Sequence, residues 1–210
     1  MLLVIWKHFL YLKGEYMDLL LEKYNDYARL IGCRAVYELE NGLIIEYIYR
    51  KENFVHLIGL HKLEDILLIS MFNDKSNLKI NTRTVIKNIK NGKLTDKMVR
   101  NSAFFHKINE RYNNFSYDNL TTLNYTDAVV NFNPTIINSQ LKSDYLLFEQ
   151  KPSNEYNHLG IAMDNMNGVR YAETFIHSDS DYYINGQKIS KIKKFALYDK
   201  KNNVIVQDSF

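Results

Sequence analysis

The chain has one cysteine in 210 residues, Cys33. It can build neither an internal disulfide framework nor a cysteine zinc cage, and it suits a reducing compartment. No run reaches the roughly 18 apolar residues that a membrane span needs. The stretch from Met1 to Leu12 is apolar, but Lys7 and His8 interrupt it, no basic residues precede it and no small-residue cleavage site follows, which argues against a secretory signal. Together these absences predict an intracellular protein with no membrane partner. A dominant charge sign is missing too: 27 Lys and Arg oppose 24 Asp and Glu, a net charge of +3 that alone implies no nucleic acid. There is no Gly-x4-Gly-Lys-Ser/Thr loop, Gly-x-Gly-x-x-Gly, His-Glu-x-x-His, Cys-x-x-Cys or Gly-x-Ser-x-Gly, which disfavours nucleotide hydrolases and zinc peptidases. Sequons at Asn114, Asn119 and Asn124 are what chance supplies in an Asn-rich chain, and glycosylation needs a secreted context.

What the chain does have is apolar volume. Hydrophobic residues make up 46%, with 16 Tyr and 11 Phe, enough for a core in a chain that buries roughly 70% of its unfolded surface. Apolar positions between Glu15 and Ile31 recur at helical spacing and stop at Gly32. Arg34 to Leu39 and Leu43 to Tyr49, joined by Glu40-Asn41-Gly42, read as a β-hairpin. Lys51 to Leu68 is helix-like, broken at Gly59, and 82 to 123 reads as short helices at Thr82–Asn91, Thr95–Arg100, Ala103–Tyr112 and Tyr117–Leu123. Strand-type runs follow at Ala128–Phe132, Tyr145–Glu149, Leu159–Met163, Val169–Ile176, Ile192–Tyr198 and Val204–Val206. Helices first and strands later predict an α+β fold: N-terminal and central helices packed on a C-terminal antiparallel β-sheet. The absence of a repeat or linker favours one domain over 1–210, with 1–16 a possible extension, 17–123 mainly helical around the hairpin at 34–49, and 124–210 the sheet. Met17 is an alternative start.

The sharpest charge asymmetry lies between Lys75 and Arg100, where eight cationic residues face one acidic residue, Asp96. On a helix from Thr82, Arg83, Lys87 and Lys90 share an arc opposite Val85, Ile86 and Ile89. Such a stripe suits a phosphate backbone, through counterion release. It equally suits a merely solubilising face.

Histidine is the second thread. His56 and His61 flank an apolar segment, and His is the side chain whose unperturbed pKa lets it take and give a proton near neutrality. A lone His among apolar neighbours is more often a satisfied core residue than a catalyst, so both readings of His56 stay open. The third thread is Val169 to His177. Period-2 alternation puts Tyr171, Glu173 and Phe175 on one face and Arg170, Ala172 and Thr174 on the other. Polar groups on both faces mark either an edge strand or a site. His177-Ser178-Asp179-Ser180-Asp181 reads more readily as a solvated turn than as a cation site.

Phe54-x-His56-Leu57-x-Gly59-Leu60, then Glu173-Thr174-Phe175, then Tyr183-Ile184-Asn185-Gly186-Gln187 resembles the phage members of the barnase/EndoU/colicin/RelE-like (BECR) nuclease superfamily. The likeness runs from about Tyr24 to Tyr198. It implies helices packed on an antiparallel sheet and RNA cleavage without a metal or other cofactor, in the cytoplasm of a bacterial host. The implied partners are RNA and an immunity or antitoxin protein. The matched positions are His56, Glu173, Thr174, Tyr183 and Gln187. His56 and Glu173 are then the expected acid/base pair, Lys62 or Arg170 the charge stabiliser, and Thr174, Tyr183 and Gln187 the positioning groups. Arg83, Lys87 and Lys90 are the expected grip on the RNA backbone. Two other readings compete. Arg100-Asn101-x4-His106 looks like the Arg-x4-6-His signature of all-helical HEPN ribonucleases. A non-catalytic phage or mobile-element protein could also use the basic face to bind nucleic acid or a host protein.

Overall fold

The computed structural model describes residues 18–77, 79–121 and 125–209. The segment 1–16, Met17 and the sequon residue Asn124 lie outside them. Asp18 opens α1 (Leu19–Ala28) by accepting the amides of Leu20 and Leu21 at 3.1 and 3.3 Å, which satisfies donors that a helix start otherwise leaves orphaned. The hairpin follows: β1 (Arg34–Leu39) and β2 (Ile44–Ile48) pair antiparallel from Arg34↔Ile48 to Glu38↔Ile44. Gly42 supplies the positive φ of 82° that its tight turn requires.

Residues 51 to 121 form short helices. A 3-10 turn (Lys51–Asn53) leads into α2 (Phe54–Leu57), then Gly59 at φ 88° and a second 3-10 turn (Leu60–Lys62). Next come α3 (Leu67–Asn73), α4 (Thr82–Lys90), α5 (Asp96–Arg100), a 3-10 turn (Phe105–Lys107), α6 (Asn109–Asn114) and α7 (Tyr117–Thr121). A Cβ on Gly59 would press into Ile108 and Arg111, so this glycine lets the α2 turn sit directly against the start of α6.

The strands β3 (Asp127–Val130), β4 (Tyr145–Gln150), β5 (Tyr156–Met163), β6 (Arg170–Ser178), β7 (Ile189–Tyr198) and β8 (Val204–Ser209) complete the chain. Their order with the hairpin is β1-β2-β6-β5-β4-β3-β7-β8, and β7 also pairs with β1. Ile189–Lys191 of β7 bond to β3, while Ile192–Tyr198 bond to β1 on one side, with β8 on the other. Seven strands therefore close into a barrel, with β8 appended outside the ring. This corrects the expected helices on an antiparallel sheet. The sheet closes on itself, the hairpin is part of the wall, and one link, β2 to β6, is parallel, made at Ile48↔Tyr171 alone.

Closure has a physical cause. A twisted sheet left open exposes two rows of unpaired backbone groups, and joining β7 to β1 removes them. The alternation of β1 sends Ala35, Tyr37 and Leu39 inward, where Tyr37 meets Phe195 of β7 with ring centroids 4.6 Å apart. Tyr47, Leu147, Leu159, Phe175 and Leu197 join the same core. It continues into the helical segment, since Phe115 meets Phe175 edge-on at 6.0 Å. A smaller cluster, Val129, Phe132, Leu146, Phe148 and Tyr156, covers another part of the wall, with Leu141 and Tyr183 packed on it. Among the described residues no helix is long and apolar enough to cross a membrane.

Candidate active site

The weak point of the barrel wall creates the site. β6 meets β2 only at Tyr171, so from Ala172 onward its β2 side has no strand partner among the described residues. Helices α2 and α6 pack against β6. A cleft of about 710 Å³ opens there, lined by His56 from α2, His61 and Lys62 from the next turn, Arg111 from α6, Lys142 from the β3–β4 connection, and Tyr171, Glu173, Thr174 and Ile176 from β6.

Strict alternation cannot place Glu173 and Thr174 in the same cleft. The ladder to β5 resolves this: Gly160 pairs with Thr174, but Ile161 pairs with Ala172, so Glu173 is an extra residue without a partner. This is a β-bulge, a device that re-aims side chains. Ala172 and Phe175 both enter the core across it, whereas Tyr171, Glu173, Thr174 and Ile176 all line the cleft. The two-faced pattern expected for this strand is thus corrected.

Glu173 is held in place. Its Oε2 accepts from the Ser143 hydroxyl at 2.8 Å. A Cβ on Gly160 would collide with that hydroxyl and with Cγ2 of Thr174, so the missing side chain at 160 makes room for both. The other carboxylate oxygen makes no hydrogen bond among the described residues.

His56 is exposed although Phe54, Val55, Leu57 and Ile58 around it are buried, which removes the core-histidine alternative. Its ring lies 4.5 Å from that of His61, and its carbonyl accepts from Arg111 Nη1 at 3.2 Å. Desolvation in the cleft, then the Arg111 charge, holds the His56 pKa below its ordinary value. His61 is pushed down to about 4 by burial, then by His56 and Arg111, and its Nδ1 is buried without a hydrogen-bond partner. Lys62 is lowered by desolvation, then by Arg111 and Lys107. Desolvation takes Arg111 itself down to about 10. No carboxylate pairs with Lys62, Arg111 or Lys142 among the described residues, so these cations share one small volume without a paired counter-charge. An anion entering it would relieve their repulsion.

The structure thus brings His56, Lys62, Glu173, Thr174 and Tyr183 together. It does not bring Arg170 or Gln187. The Arg170 guanidinium lies 5.4 Å from the Tyr145 ring, with Nε buried and unpartnered. Gln187 is taken up by the backbone of Asn133, accepting from its amide at 3.0 Å and donating to its carbonyl at 2.9 Å. Arg83, Lys87 and Lys90 lie exposed on α4, opposite its buried Val85, Ile86 and Ile89, and do not line the cleft. The start of α4 is nevertheless tied to the turn that carries Asn53, a cleft residue, by Thr82 Oγ1 donating to the Glu52 carbonyl at 3.1 Å. Arg100 is bound by both Asp96 oxygens at 3.1 and 3.0 Å, and His106 lies exposed on the Ala103 carbonyl. With the barrel, this removes the all-helical HEPN reading.

Sequence reasoning missed Arg111, Ser143 and Lys142. Nothing in Asn109-Glu110-Arg111 or in the loop before β4 sets these residues apart, because their importance comes from what packs beside them. Among the described residues no group of three or more His, Cys, Asp or Glu is arranged to hold a metal ion.

Comparison with known proteins returned no match among curated proteins and none among solved structures. The family model described as phage-Barnase-EndoU-ColicinE5/D-RelE like nuclease4 matches residues 19–209, a span that holds the whole barrel and every residue of the cleft. The chain belongs to this phage-type BECR nuclease family.

Proposed function

We propose that the chain is an endoribonuclease that cuts by attack of the 2′-hydroxyl on the adjacent phosphate. The observation that carries this reading is that His56 and Glu173, far apart in sequence, open on one cleft that also holds Lys62, Arg111 and Lys142. Transesterification of RNA needs a base for the 2′ proton, an acid for the leaving 5′ oxygen, and cations on the phosphorane. Glu173, oriented by Ser143, takes the 2′ proton. The 2′ oxygen bonds to phosphorus, the bond to O5′ breaks, and His56 donates its proton to O5′. The products are a 2′,3′-cyclic phosphate and a 5′-hydroxyl end.

A bound phosphate offsets Arg111, the charge that depresses His56, so substrate itself favours the protonated ring that the step requires. Lys62 and Arg111 hold the equatorial oxygens, Arg111 through its guanidinium fork. Thr174 and Tyr183 position the nucleotide. Arg83, Lys87 and Lys90 bind the backbone of a longer RNA outside the cleft.

The test uses purified protein, total RNA and a chelator, with chemical mapping of the new ends. Cyclic phosphate ends that vanish in His56→Ala and in Glu173→Ala, both folded, are expected. Wild-type rates in either variant overturn the pair. RNA binding with no products in any buffer would instead favour a non-catalytic protein acting through its basic face.

A further inference from the structure

β8 is appended outside the ring, and its far edge is open. It pairs with β7 from Lys194↔Ser209 to Tyr198↔Val204, and with no other strand among the described residues. Five of its six residues are exposed, Val204 at 52% and Ile205 at 45%. Only Val206, opposite Leu197 of β7, packs against the core. We infer that β8 is a homodimer interface, pairing antiparallel with β8 of a second copy so that the two sheets run on into one another.

The first support is the unguarded edge. A row of unpaired backbone N–H and C=O groups is a template for another strand, and an edge that must stay free is shortened, covered, or armed with Pro or Lys. β8 has ordinary strand length, contains neither Pro nor Lys, and opens on three β-branched residues, Val204, Ile205 and Val206. The open side of β2 differs. There Glu46 is tied to Arg34 at 3.3 Å, and Arg34 also lies over the Tyr198 ring.

Charge names the occupant. Asp208, the only ionisable residue of β8, forms no ion pair among the described residues. Lys200 and Lys201, in the turn that enters β8, form none either. The nearest carboxylate in sequence, Asp199, is engaged through Oδ1 with the amides of Lys201 and Asn203 at 2.7 and 2.9 Å, and through Oδ2 with the Asn203 side chain at 2.8 Å. The strand is therefore cationic where it begins and anionic where it ends. Two copies laid parallel would set like charges together, whereas two laid antiparallel bring each Asp208 to the other's Lys200-Lys201 turn. About a two-fold axis at Ile205, this residue faces its own copy and Val204 faces Val206, so the apolar triplet leaves water on both sides. Such a contact is closed and stops at two chains. It uses no residue that lines the cleft.

The test is sedimentation velocity of the full chain from about 1 μM to about 1 mM. A pair of six-residue strands buries less than the roughly 1,200 Å² of a standard interface, so a monomer–dimer transition in the micromolar range is expected, with no larger species. Ile205→Lys places two ammonium groups on the axis and should weaken the dimer about tenfold or more, with an unchanged thermal melt. Asp208→Lys should weaken it about tenfold, and Lys201→Asp combined with Asp208→Lys should recover about threefold or more of that loss. A monomer at every concentration overturns the interface. So does growth beyond two chains, the sign of β8 adding to the open side of β2, or a dimer that Ile205→Lys leaves unchanged. A charge exchange that recovers nothing overturns the antiparallel arrangement. RNA cleavage is not a readout here, so the dimer and the endoribonuclease stand or fall separately.

Discussion

Gly160 and Ser143 are fitted to one another: a Cβ on the glycine would occupy the place of the serine hydroxyl, the group that donates to Glu173 at 2.8 Å. A single absent methyl in β5 thus decides where the only carboxylate that lines the cleft among the described residues is held. Gly160→Ala should overpack this point at a cost of about 1–3 kcal/mol and lower RNA cleavage more than Ser143→Ala does. Thermal melts beside cleavage rates check this. Full activity in Gly160→Ala would mean that the orientation of Glu173 is unimportant.

Arg111 depresses His56, His61 and Lys62 alike. Arg111→Gln should therefore raise both imidazole pKa values, read by NMR titration, while cleavage falls about tenfold or more through loss of a charge-assisted phosphate contact. Arg111→Lys should keep part of the electrostatic effect and lose the fork geometry. Unmoved histidine resonances would remove Arg111 from the site.

His61, at about 4, and His158, pushed to about 3 by burial and then by His177, stay neutral in the folded protein far below the ordinary histidine range. The unfolded chain takes up these two protons near pH 6.5, so the unfolded state binds more protons and stability rises with pH across this interval. Acidifying from pH 7.5 to 5 should then cost stability, on the order of 2 kcal/mol from the fully buried His158 and less from the partly exposed His61. His158→Phe, which keeps the packing against Phe148, Tyr156 and Tyr183, should shrink the loss in denaturant titrations at the two pH values. Identical acid sensitivity in that variant would contradict a buried neutral ring.

Charge reversal at Arg83, Lys87 and Lys90 leaves the cleft intact. It should weaken binding of long RNA and flatten the salt dependence by roughly 0.7 per lost phosphate contact, with little effect on cleavage of a dinucleotide. Filter binding at several salt concentrations measures this. An unchanged slope means that the stripe is only a solvated face.

Much of the local structure was legible because it is set by neighbours in sequence. The Asn41-Gly42 turn forced the hairpin, and the helical stripe of Thr82 to Lys90 buried Val85, Ile86 and Ile89 as its spacing requires. His56, Glu173, Thr174 and Tyr183, matched by short motifs, share one cleft with Lys62, one of the two expected charge stabilisers. Gln187, from the same motifs, and Arg170, the alternative stabiliser, stand elsewhere, because a local pattern fixes residue type and not direction.

What sequence alone determined, then, is the alphabet of elements and most of the polar residues that meet, since turn chemistry and apolar periodicity act within a few residues. Only the tertiary structure decided that β7 closes the sheet onto β1, that a bulge turns Glu173 to the side of Thr174, and that Arg111 and Ser143 complete the site. Those are contacts between segments distant along the chain, selected by edge pairing and by the fit of one side chain into the space another leaves, and no local pattern encodes them.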